Sequence, residues 1–124
     1  MAGGEGGNPK QAPVMRPALE PRPIIVRPEA EADIVEAATW YHNQQPGLGD
    51  DFLGEVENAI TLIAENPFRF PCLRRRPEVR RALTQRFPYR VFFIRRPEMV
   101  IVFRVLHSSM QERNWTATLG EVPS

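Results

Sequence analysis

Apolar residues recur every three or four positions in two segments of the first half of the chain, a spacing that places them on one face of a helix. The first segment spans residues 28–43 and begins with Pro28, which the first turn of a helix tolerates. The second spans residues 49–65 and stops at Asn66-Pro67. A short Pro-Gly break separates the two, which predicts an antiparallel helical hairpin. The apolar positions are Ala30, Ile34, Ala37, Ala38 and Tyr41, then Phe52, Val56, Ala59, Ile60 and Ile63.

Short runs of β-branched and aromatic residues predict one strand before the hairpin and three strands after it. They span residues 23–27, 79–86, 89–95 and 99–106. The third strand is apolar on both faces, so we expect it to lie centrally. In the fourth, alternation places Arg104 outward. The order predicts an α+β fold: an N-terminal strand, an antiparallel two-helix hairpin that covers one face of the sheet, then a three-stranded antiparallel meander.

The remaining segments are interpreted as a tail and a loop. Residues 1–22 are rich in Gly and Pro without periodicity, which predicts a disordered tail ahead of one domain over residues 23–118. Met15 leaves a later natural start open. The proline-punctuated residues 66–78 are expected to form a loop, with Cys72 as a small apolar residue beneath it. With no apolar run near the ~20 residues of a membrane span and no signal peptide, a cytoplasmic location is expected.

The net charge of +1 conceals a strong asymmetry between the two halves of the chain. Residues 1–66 carry four basic and eleven acidic side chains, whereas residues 67–124 carry twelve arginines and four acidic side chains. One interpretation is a basic face for a polyanion or an acidic protein. The other is that the acidic helices neutralise the basic strands within the fold. No aromatic platform is interleaved with the arginines, so the pattern is weak for nucleic acid alone.

A series of short motifs resembles the ParE/RelE toxin superfamily over residues 24–115, and it is nearer to ParE than to RelE. No single motif is specific, but their order along the chain is. They are Glu29-Ala30 with Asp33-Ile34, Gly47-Leu48-Gly49 before Phe52, Asn66-Pro67 with Phe70-Pro71, Arg80-Arg81, Phe87-Pro88-Tyr89-Arg90-Val91, and His107 followed by a final tryptophan.

The resemblance implies the toxin of a type II toxin–antitoxin system, which serves plasmid or chromosomal-island maintenance and arrests growth when it is freed from its antitoxin. Two activities occur in the superfamily. ParE-like members block DNA gyrase, and RelE-like members cut mRNA on the ribosome. A third possibility is a degenerate toxin that is retained only to bind the antitoxin.

The RelE-like site is incomplete in this sequence. Arg90 and Arg81 match basic residues of that pattern, and His107 could transfer a proton. However, Ser108 and Ser109 stand where an arginine is expected, and Asn114 and Trp115 occupy the tyrosine region. We therefore expect a gyrase inhibitor without hydrolytic chemistry of its own, with Arg81, Arg90 and His107 as the catalytic candidates if the chain is a ribonuclease.

The expected partners are a cognate antitoxin, with which a higher-order complex is possible, and DNA gyrase, with the ribosome and its mRNA as the alternative. No cofactor, membrane partner or metal is expected, since His42 and His107 lie far apart without an acidic cluster beside either. His42 is interpreted as structural, at the end of a helix. Leu53, Phe92 and Phe103 are expected antitoxin contacts, between the hairpin and the sheet. The expected target-binding residues are Arg74, Arg75, Arg76, Arg80, Arg81 and Trp115.

Overall fold

The computed structural model describes residues 21–110, which form one five-stranded sheet and a pair of helices. Residues 1–20 of the expected tail over residues 1–22 lie outside the described residues, as does Trp115. The elements in chain order are β1 (Ile24–Val26), α1 (Pro28–Gln44), α2 (Leu48–Glu65), a short 3-10 helix (Pro67–Arg69), β2 (Cys72–Arg75), β3 (Glu78–Leu83), β4 (Tyr89–Arg95) and β5 (Val100–His107). Neither α-helix is long and apolar enough to cross a membrane.

The sheet confirms the predicted α+β fold and adds a strand to it. Its order is β1-β5-β4-β3-β2, in which β1 pairs in parallel with β5 and the other neighbours are antiparallel. The prediction of an unbroken loop over residues 66–78 was wrong, because Cys72–Arg75 forms the edge strand β2. Only four residues long and flanked by Pro71 and Pro77, this strand pairs on one side and has no apolar alternation to reveal it.

The main core lies between the hairpin and the sheet. Ala30 of α1 and Ala59 and Ile63 of α2 pack on side chains of the three longest strands, and all of these residues are buried. This face confirms the helical periodicity read from the sequence. The strand residues of this core are Ala82, Val91, Phe93, Val100, Val102 and Val105.

A second buried cluster occupies the sheet face that points away from the helices. It consists of strand residues, with Leu73 packed against it, and it alternates with the helix-facing positions. Phe92 and Phe103 belong to this cluster with 1% and 0% exposure, so they do not lie between hairpin and sheet as expected. Leu53 is the one expected antitoxin contact on the surface, at 41% exposure. The cluster comprises Val79, Phe92, Ile94, Ile101, Phe103 and Leu106.

A β-bulge in β5 changes which residues face the helices. Phe92 of β4 pairs with Arg104, but the next residue pairs with Val102, so Phe103 is extra in the register. Beyond this point Val105 faces the helices. The expectation that Arg104 points outward was wrong, because its guanidinium donates to both carboxylate oxygens of Asp33, at 2.7 and 2.9 Å. Asp33 also accepts the Val105 N–H at 2.9 Å, which ties α1 to β5.

Gly47 and Gly49 set the geometry between the two helices. Gly47 precedes α2 with a φ of 91°, in the left-handed region that glycine adopts without strain. At Gly49 an added Cβ would lie 2.5 Å from the Ala38 carbonyl oxygen and 3.2 Å from the Cβ of His42. The helices therefore approach too closely for any side chain at this position. His42, in the last turn of α1, forms part of this contact.

Candidate functional site

The three catalytic candidates lie on different faces of the sheet. Arg81 and Arg90 are on the face that carries the second cluster, since Arg81 pairs with Phe92 and the Arg90 guanidinium lies 5.6 Å from the Phe92 ring. His107 pairs with Tyr89 across β4 and β5, and their rings are in edge contact at 5.3 Å on the helix-facing side. The His107 ring therefore lies on the opposite face of the sheet from Arg81, and Arg90 reaches the end of β5 through backbone contacts.

Arg90 is engaged by the backbone at the end of β5. Its Nη2 donates to the carbonyl oxygens of Ser108 at 3.1 Å and Met110 at 2.6 Å, and reaches that of His107 at 3.5 Å. These contacts hold the turn that follows β5 and occupy Nη2, whereas the buried Nε has no hydrogen-bond partner among the described residues. Arg90 thus has a structural role in the described part of the chain.

His107 is oriented by the same turn. Its Nδ1 accepts the Ser109 N–H at 3.0 Å and lies 2.8 Å from the Ser109 hydroxyl. An accepted hydrogen bond requires a lone pair on Nδ1, so the neutral ring carries its proton on Nε2. No described carboxylate is hydrogen-bonded to this ring, so the ring lacks the partner that commonly orients a catalytic histidine.

The exposed ring of Phe68 is surrounded by arginines at the edge of the sheet. The guanidinium carbons of Arg95, Arg80 and Arg22 lie 4.7, 5.4 and 5.8 Å from the ring centroid, within cation–π range. Phe68 is 54% exposed. No aromatic platform is interleaved with the arginines in the sequence, but pairing of β3 with β4 brings Arg80 and Arg95 to this ring.

Glu78 fixes two of these arginines. Its Oε2 accepts from Nε of Arg80 at 2.7 Å and from Nε of Arg95 at 2.8 Å, and its Oε1 accepts from Nη2 of Arg95 at 2.8 Å. Arg80 also donates to the Phe70 carbonyl oxygen at 2.6 Å. The hydrogen bond from Arg95 and then that from Arg80 lower the pKa of Glu78, against the opposing effect of burial. The carboxylate is therefore a stable anchor for both guanidinium groups.

Beside this group, Arg75 and Arg76 line a shallow cleft of about 280 Å³ with Glu78 and Arg95. Both are exposed, and neither forms an ion pair with any of residues 21–110. We call the combined region the arginine–Phe68 surface. It consists of Arg22, Phe68, Arg75, Arg76, Arg80 and Arg95.

The predicted target-binding residues are only partly brought together. Arg75, Arg76 and Arg80 belong to the arginine–Phe68 surface, Arg74 is exposed on the edge strand β2, and Arg81 lies on the face of the second cluster. Sequence reasoning missed Phe68, Arg95 and Arg22. The only signal for Arg95 is its place at the end of β4, opposite the start of β3.

The single cysteine, Cys72, is a free thiol at the edge of the sheet. It is exposed on β2 rather than covered by a loop, which corrects the expectation from the sequence. Its Sγ–H donates to the Arg74 carbonyl oxygen at 3.2 Å. No group of three potential metal ligands occurs within residues 21–110.

A second cleft, of about 430 Å³, lies between α1 and the end of β5, and we call it the α1–β5 cleft. Its walls combine aromatic rings with carboxylates. Burial raises the pKa of Tyr41 and of Tyr89, and for Tyr89 the nearby Tyr41, Glu36 and Asp33 add to the effect of burial. The lining includes Asp33, Glu36, Trp40, Tyr41, Tyr89 and His107.

Comparison with known proteins relates this fold to a toxin family. The family model described as "ParE toxin of type II toxin-antitoxin system, parDE" matches residues 24–112. A solved structure titled "Chromosomal ParDE TA system from P. aeruginosa" is similar with a TM-score of 0.61 at 14% sequence identity, over 69% of this chain and 95% of that chain. At that identity it shows a shared fold. No curated protein sequence matches the chain.

Proposed function

Because the chain belongs to the family of ParE toxins of type II toxin–antitoxin systems, we propose that it arrests bacterial growth by inhibiting DNA gyrase. A cognate antitoxin neutralises it until it is released. The inhibition is stoichiometric binding, without hydrolytic chemistry, a cofactor or a metal. The observation that carries this proposal is the arginine–Phe68 surface. Its arginines and exposed ring can bind a partner protein without any catalytic group.

The composition of this surface favours a protein target. Arginine and aromatic side chains dominate the energetics of protein interfaces, because they combine a large contact area with directed hydrogen bonds. Here Phe68 is exposed, and Arg75 and Arg76 are unpaired among the described residues. Glu78 holds Arg80 and Arg95 in place before binding, which lowers the entropic cost of association. An acidic surface of gyrase is the expected counterpart.

The ribonuclease alternative has less support. Transition-state stabilisation at a scissile phosphate needs cationic donors and a proton-transfer group around one atom. In this fold Arg90 donates to backbone carbonyls, and the His107 ring lies on the opposite face of the sheet from Arg81. Under this alternative, Arg90→Ala would abolish mRNA cleavage without unfolding the chain.

The antitoxin is expected to cover apolar groups that the hairpin leaves exposed. Val35 and Trp40 of α1 and Leu53 of α2 are large apolar side chains with exposed surface. A disordered antitoxin segment that folds on binding can wrap such a surface. The same segment, by occupying the toxin, would deny gyrase access or hold the complex in a higher-order assembly.

The test begins with induction of the chain alone in a bacterial host, with pulse-labelling of DNA and protein synthesis. We expect DNA synthesis to fail first, and the purified chain to inhibit supercoiling by gyrase. Earlier arrest of protein synthesis with cut mRNA would establish the ribonuclease instead. Normal growth with soluble toxin present would identify a degenerate, antitoxin-binding chain.

A matched pair of variants then locates the binding surface. Arg75→Gln with Arg76→Gln should raise the concentration for half-inhibition of gyrase on the order of tenfold, because two unpaired charges leave the interface. Arg86→Gln removes an exposed arginine outside the surface and should leave inhibition unchanged. Equal inhibition by the double variant and the wild type would place the target site elsewhere.

A further inference from the structure

The α1–β5 cleft contains a carboxylate that the fold leaves available. Glu36 is exposed and forms no ion pair with the other described residues, although it lines the cleft. Asp33, one turn earlier on the same face of α1, is already occupied by Arg104. The cleft thus holds one satisfied carboxylate–guanidinium pair and a second carboxylate without a partner.

Aromatic rings complete the surroundings of Glu36. Trp40 lies one turn further along α1, is 57% exposed and makes an edge contact with Tyr41 at 5.1 Å between ring centroids. Tyr89 and His107 form the opposite wall from the sheet. Such rings attract a cation over their faces, and a planar guanidinium stacks on them while it donates to a carboxylate.

We propose that the α1–β5 cleft binds an arginine side chain of the antitoxin, with Glu36 as its ion-pair partner and Trp40 and Tyr89 as its aromatic walls. This inference rests on the proposed neutralisation by an antitoxin. The volume of about 430 Å³ falls within the range of small-ligand pockets, so a side chain and its flanking backbone fit. Arginine is preferred over lysine because its fork matches the carboxylate and its plane matches the rings.

The electrostatics of the cleft agree with a cationic occupant. Arg104 balances the charge of Asp33 in the lining, so the unpaired carboxylate of Glu36 leaves an excess of negative charge there. Burial chiefly raises the pKa of the Tyr89 hydroxyl, and the nearby Glu36 and Asp33 add to that effect. The arginine–Phe68 surface has the opposite sign, so a basic segment would be directed to the cleft and away from the edge of the sheet.

A titration with a defined probe tests this binding directly. The probes are the capped tripeptide acetyl-Leu-Arg-Leu-amide and the same peptide with citrulline, which keeps the shape of arginine and removes its charge. The readout is the Trp40 indole N–H resonance of the full chain, assigned with the Trp40→Phe variant. We expect saturable binding on the order of millimolar for the arginine peptide. Equal binding of the citrulline peptide, or no shift at Trp40, would overturn the proposal.

Two variants of α1 test whether Glu36 is the ion-pair partner of the bound arginine. Glu36→Gln should weaken the binding of the arginine peptide about tenfold, which corresponds to ~1.4 kcal/mol of binding free energy. Glu31→Gln removes an exposed carboxylate from α1 outside the cleft and should have no effect. An equal loss in both variants would show a general effect of net charge and would contradict a specific site.

Co-expression separates this inference from the proposed function. The Glu36→Gln toxin should still arrest growth but should require more of the antitoxin encoded beside it for rescue. If that antitoxin fails to rescue the wild-type toxin, the proposed neutralisation is wrong, whatever the peptide titration shows. If it rescues the wild type and Glu36→Gln equally, the antitoxin does not use the cleft and the inference is wrong alone.

Discussion

The arginine–Phe68 surface and the α1–β5 cleft both combine aromatic rings with charged side chains, but with opposite signs. At the first, one carboxylate, Glu78, holds Arg80 and Arg95, and further arginines stay exposed. At the second, Arg104 is held by Asp33, and Glu36 stays exposed. In each region an ion pair satisfied within the fold fixes the geometry, and an excess of charge faces outward. The two regions are therefore suited to different partners.

This difference bears on the asymmetry of charge along the chain. Two ion pairs join the acidic helices to the arginine-rich half of the chain: Arg104 of β5 pairs with Asp33, and Arg86, in the loop between β3 and β4, pairs with Asp51. Arg80 and Arg95 instead pair with Glu78, which belongs to the strands. Neutralisation within the fold is thus partial. The other interpretation, a basic face for a polyanion or an acidic protein, stays a prediction.

The largest expected effect comes from breaking the ion pair that builds the cleft. Asp33→Asn leaves Arg104 without its charged partner and should lower the free energy of unfolding by about 2–3 kcal/mol, because hydrogen bonds to charged groups are the strong ones. Urea denaturation measures this loss. Asp50→Asn, at an exposed position in the first turn of α2, is the control with little change. A loss below about 0.5 kcal/mol would mean that Arg104 finds another partner.

Substitutions of two glycines in α2 test how closely α2 packs against α1, the helix that lines the cleft. Gly49→Ala should destabilise the chain by about 2 kcal/mol, because the new methyl group collides with the Ala38 carbonyl and forces α1 away from α2. Gly54→Ala lies in the same helix with nothing within 4 Å of the added Cβ and should stabilise it by about 0.5–1 kcal/mol. Thermal unfolding measures both; the same sign for the two would contradict the close approach of the helices.

The smallest expected effect concerns acid stability at the arginine–Phe68 surface. The native pKa of Glu78 is lowered by Arg95 and Arg80, so its stabilising contribution is present above the ordinary value of 4.5 and is lost as the pH falls through the native value. Glu78→Gln should therefore reduce the difference in unfolding free energy between neutral and acidic pH. Urea titrations at several pH values measure it, with the exposed Glu98→Gln as control. An unchanged pH dependence in Glu78→Gln would contradict the lowered pKa.

The sequence was sufficient for the elements with strong periodicity. The stripes of α1 and α2 and the apolar run of β4 follow directly from burial, and the structure confirms them. Edge strand β2 escaped prediction because exposed arginines and a cysteine carry no burial signal. A strand identified by backbone pairing alone depends on its neighbour, which local patterns do not reveal.

The sites were less predictable than the fold because they depend on long-range pairing. Arg74, Arg75 and Arg76 were found by their density, whereas Arg95 and Phe68 are remote in sequence and meet only when β4 pairs with β3. Membership of a superfamily suggested Arg81, Arg90 and His107 together, but matching residue types do not determine which side of a strand each one faces.

The bulge at Phe103 divides β5 into two segments that differ in which residues face the helices. Inward and outward positions alternate over residues 100–103 and again, shifted by one residue, over residues 105–107. The shift brings Val105 into the core and His107 into the cleft. Deletion of one residue at the bulge would preserve the orientation of the side chains in both segments. Deletion of one residue elsewhere in the strand would exchange inward and outward side chains in part of it. Relatives that differ in length by one residue at this point can therefore retain the same cleft. An alignment of the strand should match inward-facing and outward-facing positions before it matches residue identity.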